Sequence, residues 1–242
     1  MFPIRDHNPS GRVPYVNYTL IAINVLVFIY YWVLMPQTGS DPFGNTAMVP
    51  AEVTNGVDLH GLITSMFQHA GVMHILGNML FLWIFGDNME DVFGHVRYLM
   101  FYLVTGLAAA AAHIVADPGS SIPVVGASGA VAGVMGGYLL LFPKAKVDVM
   151  LILVVIFKRL TIPAFIVLII WFGLQIFGGA ASPSSEGGVA YWAHAGGFIA
   201  GVVLSVPVWL RLGGVAFWRR NHGHPPHPEA PLPARFASRP VR

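Results

Sequence analysis

The chain has 242 residues, 55% hydrophobic and only 10% charged, with a net charge of +2 at pH 7 and no cysteine. That composition excludes an ordinary soluble domain and gives no basis for a nucleic-acid surface. The absence of cysteine excludes disulfides, thiolate metal sites and a cysteine nucleophile.

Several apolar runs approach the roughly 20 residues that cross a bilayer as a helix. The expected organisation is an N-terminal segment (1–15), one membrane domain (16–212) and a C-terminal tail (213–242). Val16–Met35 is the first span, read as retained because no small-residue cleavage site follows it. Gln37–Gln68 is a long loop whose later part, Leu59–Phe67, is apolar enough to fold back onto the membrane. Val72–Phe85 is the second span, continuing as helix through Val92, and Tyr98–Ala116 is the third. Ser128–Phe142 is a short fourth span rich in Gly and Ala, ended by Pro143. Val147–Phe157 is apolar apart from Asp148 but too short to span, so a surface-lying segment is expected there. Thr161–Ala181 and Val189–Leu210 are the fifth and sixth spans, joined by a loop at Ser182–Gly188. Residues 219–242, rich in Pro, Arg and His, read as disordered. The fold class expected is an all-α membrane protein, a bundle of six transmembrane helices.

All 13 Lys and Arg residues fall before span one, between spans two and three, between four and five, or after span six. The positive-inside rule then places both termini in the cytoplasm.

Three polar clusters interrupt the apolar runs. Gly126-Ala127-Ser128-Gly129 sets a lone serine at the head of span four, in a stretch (118–143) without Asp, Glu, Lys or Arg. His69, His74 and Asn78 stand at and inside the start of span two, with His74 and Asn78 four apart on one helix face. His194 lies near the outer end of span six, sharing a face with Gly197 and Gly201. Each has a structural reading: small residues pack membrane helices, and polar side chains bond helices together. Metal binding by the histidines lacks an acidic third ligand.

The three clusters map to the outer half of their spans, and ionisable groups there carry a functional reading by default. If the glycine stripes of spans four and six pack together, Ser128 and His194 meet. That gives a Ser–His dyad, the minimum for an activated hydroxyl nucleophile. His74, Asn78 and the Ser128 backbone N–H are the candidate oxyanion donors. Glu90, in Gly86-x3-Glu90-x3-Gly94, reads as structural, capping helix ends or bridging them, for example to Arg97. Trp171 and Gln175 in span five read as packing residues.

These motifs, His69-x4-His74-x3-Asn78, Gly86-x3-Glu90-x3-Gly94, Gly126-Ala127-Ser128-Gly129 and Ala193-His194-x2-Gly197-x3-Gly201, together resemble the rhomboid family of intramembrane serine proteases over residues 59–210. The resemblance implies the prokaryotic-type six-helix form in a cell membrane. It implies Ser128 as nucleophile, His194 as general base, and His74 and Asn78 at the oxyanion site, with no cofactor and no metal. The partners implied are transmembrane protein substrates within the lipid bilayer, cut near the outer end of their helix. Some relatives stack a tyrosine four residues after the serine on the histidine. Ala132 stands there instead, leaving Tyr191, Trp192 or Phe198 to orient His194. Competing readings are a non-catalytic rhomboid-like binder of membrane clients, which would lack the dyad, and a transporter, which would carry charges at mid-membrane.

Overall fold

The computed structural model describes residues 2–35, 43, 46–153, 156–181 and 189–223. The expected loop at 182–188, part of the first loop (36–42, 44–45) and the tail from 224 onward lie outside the described residues.

Strand β1 (Phe2–Asp6) precedes α1 (Tyr15–Ile29), which ends in a π-helical turn at Tyr30–Leu34. In the first loop lie the short helices α2 (Pro50–Thr54) and α3 (Gly61–Thr64) and a 3-10 turn at Ser65–Phe67. Next come α4 (Val72–Phe93) and α5 (His95–Ala116), meeting at Gly94, and then α6 (Ser128–Leu141). A hairpin of β2 (Lys146–Leu153) and β3 (Ile156–Pro163) leads into α7 (Ala164–Ala181). The described chain closes with α8 (Tyr191–Leu212) and α9 (Val215–Asn221).

Among the described residues, four helical segments are long and apolar enough to cross a membrane: Tyr15–Leu34, His95–Ala116, Ala164–Ala181 and Tyr191–Leu212. Gly61–Phe67 and Val72–Phe93, bent by 91° at their break, make a fifth if taken as one span. The outward faces of these helices carry large apolar side chains such as Leu26, Val33, Met73 and Phe177, which suit hydrocarbon rather than water.

Helix α6 differs from the others. It has 14 residues, so at about 1.5 Å per residue it reaches only about 21 Å. Eleven of them are buried, among them Ala130, Ala132, Val134, Met135 and Tyr138. The small residues on every side of it let neighbours close in: Gly133 lies against Thr105 of α5, and Gly136 lies under the Phe198 carbonyl of α8. Around α6 the core is completed by Leu82, Phe85 and Met89 of α4 and by Tyr98, Phe101 and Tyr102 of α5.

The described residues of the stretch from Val147 to Phe157 are β-strand. Lys146–Leu153 and Ile156–Pro163 pair antiparallel, with Lys146 opposite Pro163, and β1 adds to the other edge with Phe2 opposite Met150. The all-α expectation is corrected to a helical bundle with this three-stranded sheet. The run is rich in β-branched residues, which favour the pleated surface, and Val147 and Val149 are fully buried. Asp148 between them is buried too, and it is compensated. It accepts a hydrogen bond from the Thr161 hydroxyl at 2.6 Å, and His7 and Arg159 approach it at 3.0 Å and 2.9 Å. Because Thr161–Pro163 belong to β3, α7 starts three residues later than the expected fifth span.

The beginning of the expected tail is ordered as well. Phe217 is buried, and the Trp218 indole donates to the Leu140 carbonyl at 3.0 Å, which docks α9 under the end of α6.

Of the two readings of Glu90, its contacts are those of a cap and not of a bridge to Arg97. Glu90 is 1% exposed and accepts the backbone N–H groups of Val16 (2.9 Å) and Asn17 (2.7 Å), with His95 against its other side. These are the first N–H groups of α1, which have no acceptor within their own helix, and Pro14 before them offers no side-chain cap. Glu90→Ala should therefore lower stability by about 2 kcal/mol, seen as a lower thermal midpoint in detergent with α1 loosened from α4.

A second tie joins β1 to α6. The Tyr138 hydroxyl donates to Asp6 at 2.8 Å. Burial, with Asp87 nearby, pushes the Asp6 carboxyl up to about 8, although the Tyr138 bond acts the other way. Folded protein thus keeps a proton that the unfolded chain loses near its ordinary value of 3.8. Stability contributed by this site is complete below about pH 4 and is lost as pH rises through about 8. Thermal midpoints should decline across that window, and Asp6→Asn should flatten the decline.

Candidate active site

Ser128 is the first residue of α6 and His194 lies in the first turn of α8. What brings them together is the absence of side chains where the two helices touch. A Cβ at Gly197 would collide with the Gly129 carbonyl, and one at Gly201 with the Gly133 carbonyl. Gly197 and Gly201 of α8, with Gly136 of α6 under the Phe198 carbonyl, thus let the backbones meet, and the two helix heads come into register. The Ser128 Oγ and the His194 Nε2 are 2.7 Å apart. Both residues are partly buried, so the pair is recessed yet reachable.

The far side of the imidazole is also held. His194 Nδ1 lies 2.8 Å from Oε1 of Gln175 on α7, and Gln175 Nε2 donates to the Trp171 carbonyl at 3.2 Å. The Trp171 ring lies beside His194 with centroids 5.7 Å apart and an interplanar angle of 34°. Gln175 and Trp171, read from sequence as packing residues, are therefore neighbours of His194. Of the three residues expected to orient His194, Tyr191 and Trp192 lie instead against Gly178 and Gly179 of α7, and Phe198 backs Trp171 at 6.1 Å. No spacing pattern marks Gln175. Its one signal is a lone amide in an otherwise apolar helix.

His74 stands on the other side of Ser128. Gly126 has φ +134°, a conformation that L side chains rarely adopt, and a Cβ there would sit 2.8 Å from the His74 Nε2 and 3.4 Å from the Ser128 Oγ. Gly126 is thus required both by its backbone and by the imidazole passing over it. The loop holding it is fixed by backbone bonds: Gly126 N–H to the Ser65 carbonyl (2.9 Å), and Met48 and Val124 donating to one another (3.0 and 2.8 Å).

His74 Nδ1 accepts from the Ala70 N–H at 3.3 Å, so a neutral His74 carries its proton on Nε2, beside Gly126. Asn78 follows one turn later on α4, buried, with its Nδ2 donor unpartnered among the described residues. His69 is fully buried and packs edge-on against His74, centroids 5.1 Å apart at 67°. The Ser128 N–H, at a helix start, has no acceptor in its own helix. A hydroxyl, a base within hydrogen-bond reach and nearby uncommitted N–H donors are what acyl transfer requires. A small cleft bordered by Gly106, Ala109, Ala110, Gly129 and Ala193 opens beside Ser128. Of the expected site residues, only Glu90 is remote, at the other end of α4. No group of three or more His, Cys, Asp or Glu able to hold a metal occurs among the described residues.

Membrane-length helices surround this recessed serine–histidine pair. The Rhomboid domain matches residues 57–211. Rhomboid protease GluP of Bacillus subtilis (strain 168) is 31% identical over 211 residues, 86% of this chain and 37% of its own length. Rhomboid-related protein 2 of Mus musculus is 31% identical over 196 residues, 76% of this chain and 60% of its own. The mitochondrial RHOMBOID-like protein 6 of Arabidopsis thaliana is 38% identical over 88 residues, 36% of this chain and 28% of its own. The chain belongs to the rhomboid family, and it spans less than two thirds of the length of each of these relatives.

The glycine contacts give a direct test. Gly197→Ala or Gly201→Ala should each destabilise by about 1–3 kcal/mol or more. Gly77→Ala, where a Cβ would meet nothing within 4 Å, should leave the thermal midpoint unchanged or raise it.

Proposed function

We propose that this chain is an intramembrane serine endopeptidase that cleaves single-pass membrane proteins near the outer end of their transmembrane helix. The observation that carries the reading is the 2.7 Å contact between Ser128 Oγ and His194 Nε2 at the recessed head of α6. In this reading Ser128 attacks the scissile carbonyl while His194 takes its proton and passes it to the leaving amine. The acyl-enzyme is then hydrolysed by water entering from the outer face. The oxyanion is held by His74, Asn78 and the Ser128 N–H. His69, Gly126, Gly129, Gly197 and Gly201 maintain the geometry. The name of GluP as a rhomboid protease is consistent with this activity.

The reading takes α4 and α6 as the second and fourth of six spans, within a membrane domain at 16–212. A helix of about 21 Å in hydrocarbon about 30 Å thick leaves Ser128 below the outer boundary if the foot of α6 meets the inner one. Lys146, Lys158, Arg159, Arg219 and Arg220 all follow the foot of α6 or the end of α8, which supports cytoplasmic termini, and the membrane is read as that of a prokaryotic cell. A substrate helix must unwind locally before its carbonyl can reach Ser128. The cleft beside the serine is small and is closed in by Met48, Leu62 and Met66, so Gly or Ala near the cut site is expected.

Purified protein in liposomes should cleave a single-pass reporter with EDTA present, and Ser128→Ala and His194→Ala should each lower the rate at least about a thousandfold. Equal cleavage by all three proteins would end this reading.

A further inference from the structure

We propose that Gln175 is a positioning residue, holding His194 in the tautomer that can accept the Ser128 proton. The inference rests on reading Ser128 and His194 as the dyad, and extends the site to a third helix.

An imidazole can serve Ser128 as a base only if the nitrogen facing the hydroxyl carries a lone pair. The ring must then carry its hydrogen on Nδ1. Gln175 enforces this. Its Nε2 is committed to the Trp171 carbonyl one turn earlier on α7, and a carbonyl only accepts. The amide orientation is thereby settled, and Oε1 is the end that faces His194. An amide oxygen also only accepts, so the 2.8 Å contact must be an Nδ1–H donating to Oε1. The lone pair of Nε2 is left facing the Ser128 hydroxyl at 2.7 Å. The opposite tautomer would set an N–H against that hydroxyl and leave the Gln175 oxygen without a donor.

Gln175 is 8% exposed, so water competes little for either group. Trp171 closes one side of the ring and is backed by Phe198. Phe172 stacks on Phe198 at 4.7 Å and 21°, which fixes α7 against α8 at the level of the amide. The titratable groups acting on His194 from other helices are His74 of α4 and His113 of α5. A neutral amide fits such a place better than a carboxylate would. It orients the ring without setting a lone charge among apolar helices.

The test uses the full chain in detergent, with a fluorophosphonate probe and a single-pass reporter. In the labelling step the Ser128 Oγ–P bond forms as the P–F bond breaks. Fluoride leaves, and the hydroxyl proton passes to His194 Nε2. Gln175→Met keeps the length and removes the acceptor, whereas Gln175→Glu, held as the neutral acid among these apolar helices, keeps the acceptor oxygen and offers its O–H to the Trp171 carbonyl.

The Met variant should lose about tenfold to a hundredfold in labelling rate and in kcat, with KM and thermal midpoint unchanged. The Glu variant should recover to within a few-fold of wild type. Labelling of the Met variant at the wild-type rate, an equal loss in both variants, or a change in KM alone would overturn the role of Gln175. Wild type labelled no faster than Ser128→Ala would overturn the dyad itself, and this inference with it.

Discussion

Helices α6 and α8 meet backbone to backbone, and the geometry of the site follows from that contact. In hydrocarbon the usual hydrophobic drive is absent, because lipid tails are as apolar as leucine. Association depends on close atomic contact instead, and glycine gives the closest. Gly197 rests on the carbonyl of Gly129 and Gly201 on that of Gly133. The spacing of four on each helix keeps these contacts in phase for successive turns. A hydrogen bond weakens steeply beyond its narrow range of length, so the seam sets whether serine and histidine interact at all.

Polar groups in such a bundle need partners, and the partners are divided between its two ends. Away from the serine they hold structure. Asn17 donates to the Leu82 carbonyl and accepts from the Tyr98 hydroxyl, tying three helices together. Asn88 of α4 reaches back to the Asn8 carbonyl in the N-terminal segment. Asp148 gathers His7, Thr161 and Arg159 at the sheet. Near the serine the Asn78 Nδ2 has no partner among the described residues, as is true of Ser205 Oγ and Trp209 Nε1 farther down α8.

The helices were legible because a long apolar run leaves few alternatives in a chain with so few charges. Ser128, His194, His74 and Asn78 were legible because each stood at a fixed offset from small or polar residues on one helix face. The hairpin at Lys146–Pro163 was not. A short apolar run reads equally as buried strand or surface helix, and its partner β1 lies some 140 residues away along the chain. Glu90 reads as a cap or a bridge from its place near a helix end, but which helix it caps depends on the start of α1, 73 and 74 positions distant. Gln175 was missed because one amide in an apolar helix has no period. Only the relative rotation of α7 and α8 brings it to His194.

Tyr138 sits ten residues beyond Ser128 on α6, and its hydroxyl is bound to Asp6 while the neighbouring Leu140 carbonyl receives the Trp218 indole. The helix is therefore clamped at its foot by the two extremities of the described chain. With that end fixed, the count of residues above it works as a ruler. One residue added between Ser128 and Tyr138 would raise the hydroxyl by about 1.5 Å and swing it through about 100°, off the histidine and away from the cleft. The depth at which the serine stands is thus measured from the opposite side of the bundle, by a strand and a helix that never approach it.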